Sequence, residues 1–251
     1  MCRACCPTSR RVSRLATLLR WLVVVLAAVI AAGWTATGRA DPPQNSPAKD
    51  TAGKKKSAPV NLDAYLGSAH TSLYGIDAEG SKFVYVFDRS ASMGNGPNMP
   101  LAAAKAELLK SLERLGPTHQ FQIIFYNERP KIFSLAGYPG RIVYATDINK
   151  RQARSFVESI TADGGTGHLS ALELALGFGP DIIYFLTDAA EPDMSAADLA
   201  RIRHKNQVSV IHTIEFGEGP APDRENFLAR IARDNRGRYT YIDIRDLLSK
   251  Q

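Results

Sequence analysis

Five short runs constrain this chain more than anything else in it: FVYVF (Phe83 to Phe87), FQIIFY (Phe121 to Tyr126), DIIYFLT (Asp181 to Thr187), VSVIHTIEF (Val208 to Phe216) and RYTYIDI (Arg238 to Ile244). Most are apolar at consecutive positions, the pattern of strands covered on both faces rather than on one. Helical periodicity fills the intervals between them. In PLAAAKAELLKSLERLG, Leu101, Leu108, Leu112 and Leu115 recur at helical spacing until Gly116-Pro117 ends the helix. INKRQARSFVESI (Ile148 to Ile160), HLSALELAL, MSAADLARIRHK and ENFLARIARDN carry the same period. KIFS (Lys131 to Ser134) reads as a short edge strand, and Thr71 to Ile76 as another. Buried strands alternating with amphipathic helices predict a doubly wound α/β domain, its mainly parallel sheet covered on both faces.

That pattern occupies only the later part of the chain. Residues 1–40 hold six arginines and no acid, and then the uncharged run WLVVVLAAVIAAGWTATG from Trp21 to Gly38. A run of that length nearly crosses a hydrocarbon core of about 30 Å, so it reads either as a signal anchor or, with Gly38 and Ala40 before Asp41, as a cleaved signal peptide. The arginines on the amino side favour that end inside and the domain exported, to a periplasmic or extracellular side, with secretion after cleavage as the alternative. Residues 41–66 are rich in Pro, Lys, Ser and Ala and read as a disordered linker, which leaves 67–251 as the domain.

Charge and cysteine usage exclude several functions. Taking the six leader arginines from 31 basic residues leaves 25, equal to the 25 acids, so the formal charge of +6 belongs to the leader and argues for no nucleic-acid partner. All three cysteines, Cys2, Cys5 and Cys6, lie in the leader, so the domain has neither a disulfide framework nor a thiolate metal site. The five histidines show no ligand spacing.

The informative positions are strand ends. In a doubly wound sheet the functional crevice lies beyond the carboxyl ends of the strands, where the winding order reverses. FVYVF ends in Asp88, which is followed at alternate positions by Ser90 and Ser92, and DIIYFLT ends in Asp188. If those strands are neighbours, about 4.8 Å apart, two carboxylates face one small volume and call for a cation between them. Arg89 is the nearest basic residue, but hydroxyls crowd the same loop, with Thr166 of DGGTG as a further oxygen. Carboxylates and hydroxyls without His or Cys suit Mg²⁺, with Mn²⁺ or Ca²⁺ as alternatives.

DRSAS at Asp88 to Ser92, the threonine of GGT at Thr166 and the acid of FLTDA at Asp188 resemble, in order and strand context, the metal-ion-dependent adhesion site of von Willebrand factor type A domains. The resemblance spans about residues 70 to 245 and includes IHTIEFGEG and FLARIARDNRGRYTYID. It implies a six-stranded, Rossmann-like sheet in the order 3-2-1-4-5-6 with one short antiparallel edge strand. It also implies direct metal ligation by Ser90, Ser92 and Thr166, with Asp88 and Asp188 acting chiefly through water. The function implied is a non-enzymatic module whose metal takes an acidic side chain from a protein partner. Gly167 and Ala189 depart from the family, which often has Asn and Gly in those places.

Other readings compete. Ser90 and Ser92 also suit a turn or helix cap, and Thr166 suits the cap of the helix near His168. Asp163 reads as a turn residue, and Glu191 and Asp193 as acids of a first helical turn. A nucleotide-binding enzyme is disfavoured because GNGPNM has Met99 where the third glycine of a phosphate loop would stand. A phosphotransferase would need an acid where Ser90 stands, and no small-molecule substrate is expected. A scaffold in a membrane complex, with a degenerate metal site, is the remaining alternative.

Overall fold

The apolar runs become the strands of one sheet, flanked on each face by the periodic segments. The computed structural model describes residues 69–94, 96, 99–189, 192–223 and 225–248. The leader, the linker and Glu191 lie outside the described residues. In chain order the elements are β1 (Ala69–Leu73), β2 (Ile76–Gly80), β3 (Lys82–Asp88), α1 (Pro100–Glu113), β4 (Gln120–Tyr126), β5 (Lys131–Ile132) and β6 (Val143–Tyr144). They continue with α2 (Asp147–Glu158), α3 (His168–Leu176), β7 (Ile182–Thr187), α4 (Ala196–Lys205), β8 (Val210–Gly217), α5 (Phe227–Asp234), β9 (Tyr239–Asp243) and α6 (Ile244–Leu248).

The sheet runs β5-β4-β3-β7-β8-β9, the order the family resemblance implies. β3 lies between β4 and β7, parallel to both, with Phe83 opposite Phe121 on one side and Ile182 on the other. The two strands that end in Asp88 and Asp188 are therefore neighbours. The outer edge of β4 departs from expectation, because β6 pairs with it antiparallel as β5 does, giving seven strands. The extra pair forms because Val143 is buried and Ala145 N–H donates to the His119 carbonyl (2.8 Å), tying the returning loop to the start of β4.

Alternation of side chains puts one core on each face. On one face Phe83, Tyr85, Phe87, Phe121, Ile123, Phe125, Tyr184 and Leu186 pack beneath α1, α2 and the β1–β2 hairpin. On the other, Val84, Val86, Ile124, Tyr126, Ile183 and Phe185 meet α3, α4 and α5. The continuous apolar runs follow from this double coverage.

The hairpin corrects a second expectation. Thr71 to Ile76 is not one edge strand; the chain reverses at Tyr74 and Gly75, both in the left-handed region (φ 48° and 77°), and β1 pairs with β2 outside the main sheet. Positive φ at both central residues gives the twist that two-residue hairpin turns require. The hairpin is seated by polar contacts: Thr71 Oγ1 lies 2.7 Å from Ser111 Oγ, Ser111 Oγ lies 2.9 Å from Tyr85 Oη, and Tyr184 Oη donates to the Ile76 carbonyl (3.0 Å). No helix among the described residues is long and apolar enough to cross a membrane, and the run Trp21 to Gly38 lies outside them.

Candidate metal centre

β3 is buried along its length and delivers Asp88, 0% exposed, to its carboxyl end. The carboxylate is held on both sides: Oδ1 accepts from Ser90 N–H (2.7 Å) and Oδ2 accepts from the Thr187 hydroxyl (2.6 Å). Thr187 is the last residue of β7, so this bond sets Asp188, the next residue and half-buried, beside the same rim.

The chain after Asp88 folds into a short 3-10 turn, Ala91–Met93, anchored by buried Met93. That turn brings Ser90 Oγ within 3.0 Å of Ser92 Oγ, with Ser90 buried and Ser92 exposed. Ser90 occupies the N-cap position of this turn but makes no side-chain capping bond, so its hydroxyl is not spent on the backbone. The DGGTG loop lies alongside, Ala91 N–H donating to the Gly164 carbonyl (3.0 Å). Thr166 stands half-buried two residues further on and is not a cap: α3 begins after Gly167 with no side-chain capping bond. Asp88, Ser90 and Ser92 from the end of β3 and Asp188 from the end of β7 thus converge at the rim, with the Thr166 loop hydrogen-bonded to the same turn.

Burial, reinforced by the charge of Asp188, pushes the Asp88 carboxyl up to about 6, against the opposing hydrogen bonds from Thr187 and Ser90. Arg89 does not offset this. Its guanidinium turns to the Asp163 carboxylate and the Thr161 carbonyl. A buried carboxylate, a second carboxylate beside it and a pair of hydroxyls in contact are hard oxygen donors around one point, and they fit a small divalent cation. Among the described residues no group of three or more His, Cys, Asp or Glu converges as a metal site, so hydroxyls have to be counted for a centre to emerge.

Several supporting residues escaped the sequence reading. Thr187 lies within FLTDA without an assigned role, yet its hydroxyl links β7 to Asp88 and also accepts from Ala189 N–H (3.2 Å). Asn127 and Glu128, just past β4, hold the DGGTG loop: Asn127 Nδ2 donates to the Asp163 carbonyl and carboxylate (3.0 and 2.8 Å), and Glu128 accepts from Gly165 N–H (3.0 Å). The available signal was two polar residues immediately after a buried strand. Gly164 is required here, since its φ is +71° and a Cβ would lie 2.8 Å from Asn127 Nδ2. Ala189 has φ +51°, which explains why glycine suits that position. Asp193 lies before α4, whose cap is Ser195 with Asp198 in a reciprocal pair. His168 is structural, buried with Nδ1 2.9 Å from Tyr126 Oη.

No protein-family model matches the sequence. The von Willebrand factor A domain-containing protein 3A of Homo sapiens is 30% identical over 193 residues, covering 74% of this chain. The chain spans only 15% of that relative's length. A von Willebrand factor type A structure from Catenulispora acidiphila aligns with a TM-score of 0.56 at 22% identity, over 73% of this chain and 44% of that one. The conserved hypothetical protein BatB from Bacteroides thetaiotaomicron aligns with a TM-score of 0.50 at 19% identity, over 68% of this chain and 98% of that one. The chain has the doubly wound α/β fold of von Willebrand factor type A domains.

Proposed function

We propose that this chain is a divalent-cation-dependent protein-binding module without catalytic activity. The observation that carries the reading is the buried Asp88 carboxylate, flanked by Asp188 and by the paired hydroxyls of Ser90 and Ser92, at the strand ends where a doubly wound sheet places its ligands. Ser90, Ser92 and Thr166 are the direct ligands in this reading, and Asp88 and Asp188 hold the cation through water. Mg²⁺ is the ion proposed, with Mn²⁺ or Ca²⁺ as alternatives that the same oxygens accept. Bound by neutral hydroxyls, the ion supplies an electrophilic centre for a carboxylate of the partner protein. Asp88 fixes Ser90 through its backbone N–H, and Thr187 fixes Asp88, so the residues of this chain set the donor geometry.

The domain proposed to do this spans residues 67–251, following a leader at 1–40 and a linker at 41–66. We place it on the exported side of a membrane, tethered through residues 21–38, or secreted if the leader is cleaved.

The test is calorimetric titration of Mg²⁺ and Mn²⁺ into the full-length chain, beside Asp88→Ala and Thr166→Ala. Saturable binding of one ion, lost in both folded variants, supports the metal centre. Wild-type binding that survives both substitutions removes it and leaves a scaffold acting through other surfaces.

A further inference from the structure

Arg89 follows the first acid of the centre directly, and its contacts lead to the end of β4 and to the loop that carries Thr166. Its backbone N–H donates to the Tyr126 carbonyl (2.8 Å) and its carbonyl accepts from Asp163 N–H (2.9 Å). Its guanidinium donates to the Asp163 carboxylate and to the Thr161 carbonyl (3.3 Å). Asp163 is gripped from the other side by Asn127, which is 7% exposed and anchored in turn by Arg129 N–H (2.9 Å). The next bond along is Ala91 N–H to the Gly164 carbonyl (3.0 Å). Two backbone bonds and one ion pair therefore zip residues 89–91 to residues 163–164, with the end of β4 as backing.

Energetics argue that this arrangement serves geometry rather than stability. The Asp163 side chain is 63% exposed and that of Arg89 14%, so solvent screens the acid end and the pair contributes on the order of 1 kcal/mol. Arg89 Nε is buried with no hydrogen-bond partner, a cost that an apolar side chain of similar length avoids. We propose that the Arg89–Asp163 pair, backed by Asn127, is a positioning clamp: it fixes the Thr166 loop against the Ser90–Ser92 turn before any cation arrives, and so sets the affinity of the centre. This rests on the metal-centre reading above. The groups that support metal ligands from behind typically govern affinity by about 10-fold or more.

The test is a cycle of Arg89→Met, Asp163→Ala and the double variant in the full-length chain, with Mg²⁺ affinity and melting temperature both measured. Glu113→Ala, which removes the exposed pair with Arg154, serves as a control for loss of a surface ion pair. Each single clamp variant is expected to bind Mg²⁺ about 10-fold more weakly, the double variant no more weakly than either, and the control as tightly as wild type. Melting temperatures of the clamp variants are expected to match that of the control. Amide exchange of the metal-free protein is the second readout: Ala91 and Asp163 N–H are protected in wild type and exchange faster in the variants. Unchanged Mg²⁺ affinity overturns the proposal, as does a wild type whose Ala91 and Asp163 amides exchange as freely as an open loop. If wild type takes up no cation, the metal-centre reading fails, and the exchange comparison alone decides whether the pair fixes the loops.

Discussion

At the scale of single residues, Asp88 and His212 give the domain opposed responses to acid. Asp88 titrates in the fold at about 6 against 3.8 for a free carboxyl, so between those values the folded state holds a proton the unfolded chain has lost. Its contribution to metal-free stability is therefore full below about 4 and is lost as pH rises through 6. His212 is 5% exposed, and its Nδ1 accepts from Arg238 N–H (3.0 Å), an arrangement that needs the neutral ring. Burial first, then the charge of Arg238, hold it at about 4 against 6.5. The unfolded chain protonates first, so this contribution is present above 6.5 and lost as pH falls through 4. Each shift corresponds to roughly 3 kcal/mol at about 1.4 kcal/mol per pH unit. The two nearly cancel between pH 4 and 6 in the metal-free wild type. In Asp88→Asn only the His212 slope remains, and urea midpoints in chelator are expected to fall from pH 6.5 to pH 4 in the variant but not in wild type; parallel profiles would refute this. Ala189 is a second case. Left-handed backbone costs a non-glycine residue about 1–2 kcal/mol and glycine loses about 0.5–1 on folding. Ala189→Gly is expected to gain about 0.5 kcal/mol, or 1–2 °C in melting temperature.

Among the elements, α1 and α2 cap one another. Lys105 of α1 donates to the Glu158 and Ile160 carbonyls at the end of α2, and Lys150 of α2 donates to the Glu113 and Leu115 carbonyls at the end of α1. Each ammonium meets the negative end of the opposite helix. Lys105→Met or Lys150→Met is expected to cost about 1 kcal/mol, read as a fall of 2–4 °C in melting temperature. Nothing in the sequence announced these caps, because they depend on which helices are neighbours. The same holds for β6 and for the hairpin turn at Tyr74-Gly75, where pairing partners far along the chain decide the outcome. By contrast β3, β4, β7 and β8 were legible as strands, since a residue covered on both faces has to be apolar whatever its neighbours. The strand-end oxygens were legible for the opposite reason, being polar where the core pattern forbids it. Thr187, Asn127 and Glu128 were not, because a hydroxyl that closes a strand, or an amide and a carboxylate just past one, look ordinary until the strands are set side by side.

On the scale of the whole molecule, the reading predicts that cation binding stabilises without reshaping. Mg²⁺ at about 100 times its dissociation constant adds about 2.7 kcal/mol, a rise of 5–10 °C in melting temperature, and Asp88→Ala abolishes that rise. Chelation is expected to leave the circular dichroism spectrum intact, because the two cores pack on the sheet without help from the site. One feature of the sheet then acquires a mechanical meaning. Ser90 and Ser92 continue directly from β3, and the other end of β3 follows directly from the hairpin through which the described chain enters the sheet. Tension between a partner at the rim and the preceding chain reaches the β1–β2 hairpin first, where the paired entry and exit residues Ala69 and Gly80 are pulled apart and the ladder opens one pair at a time, and only then β3. That strand is gripped along its length by parallel ladders from β4 and β7, so there the load is taken in shear, by many bonds at once, instead of by unzipping them singly.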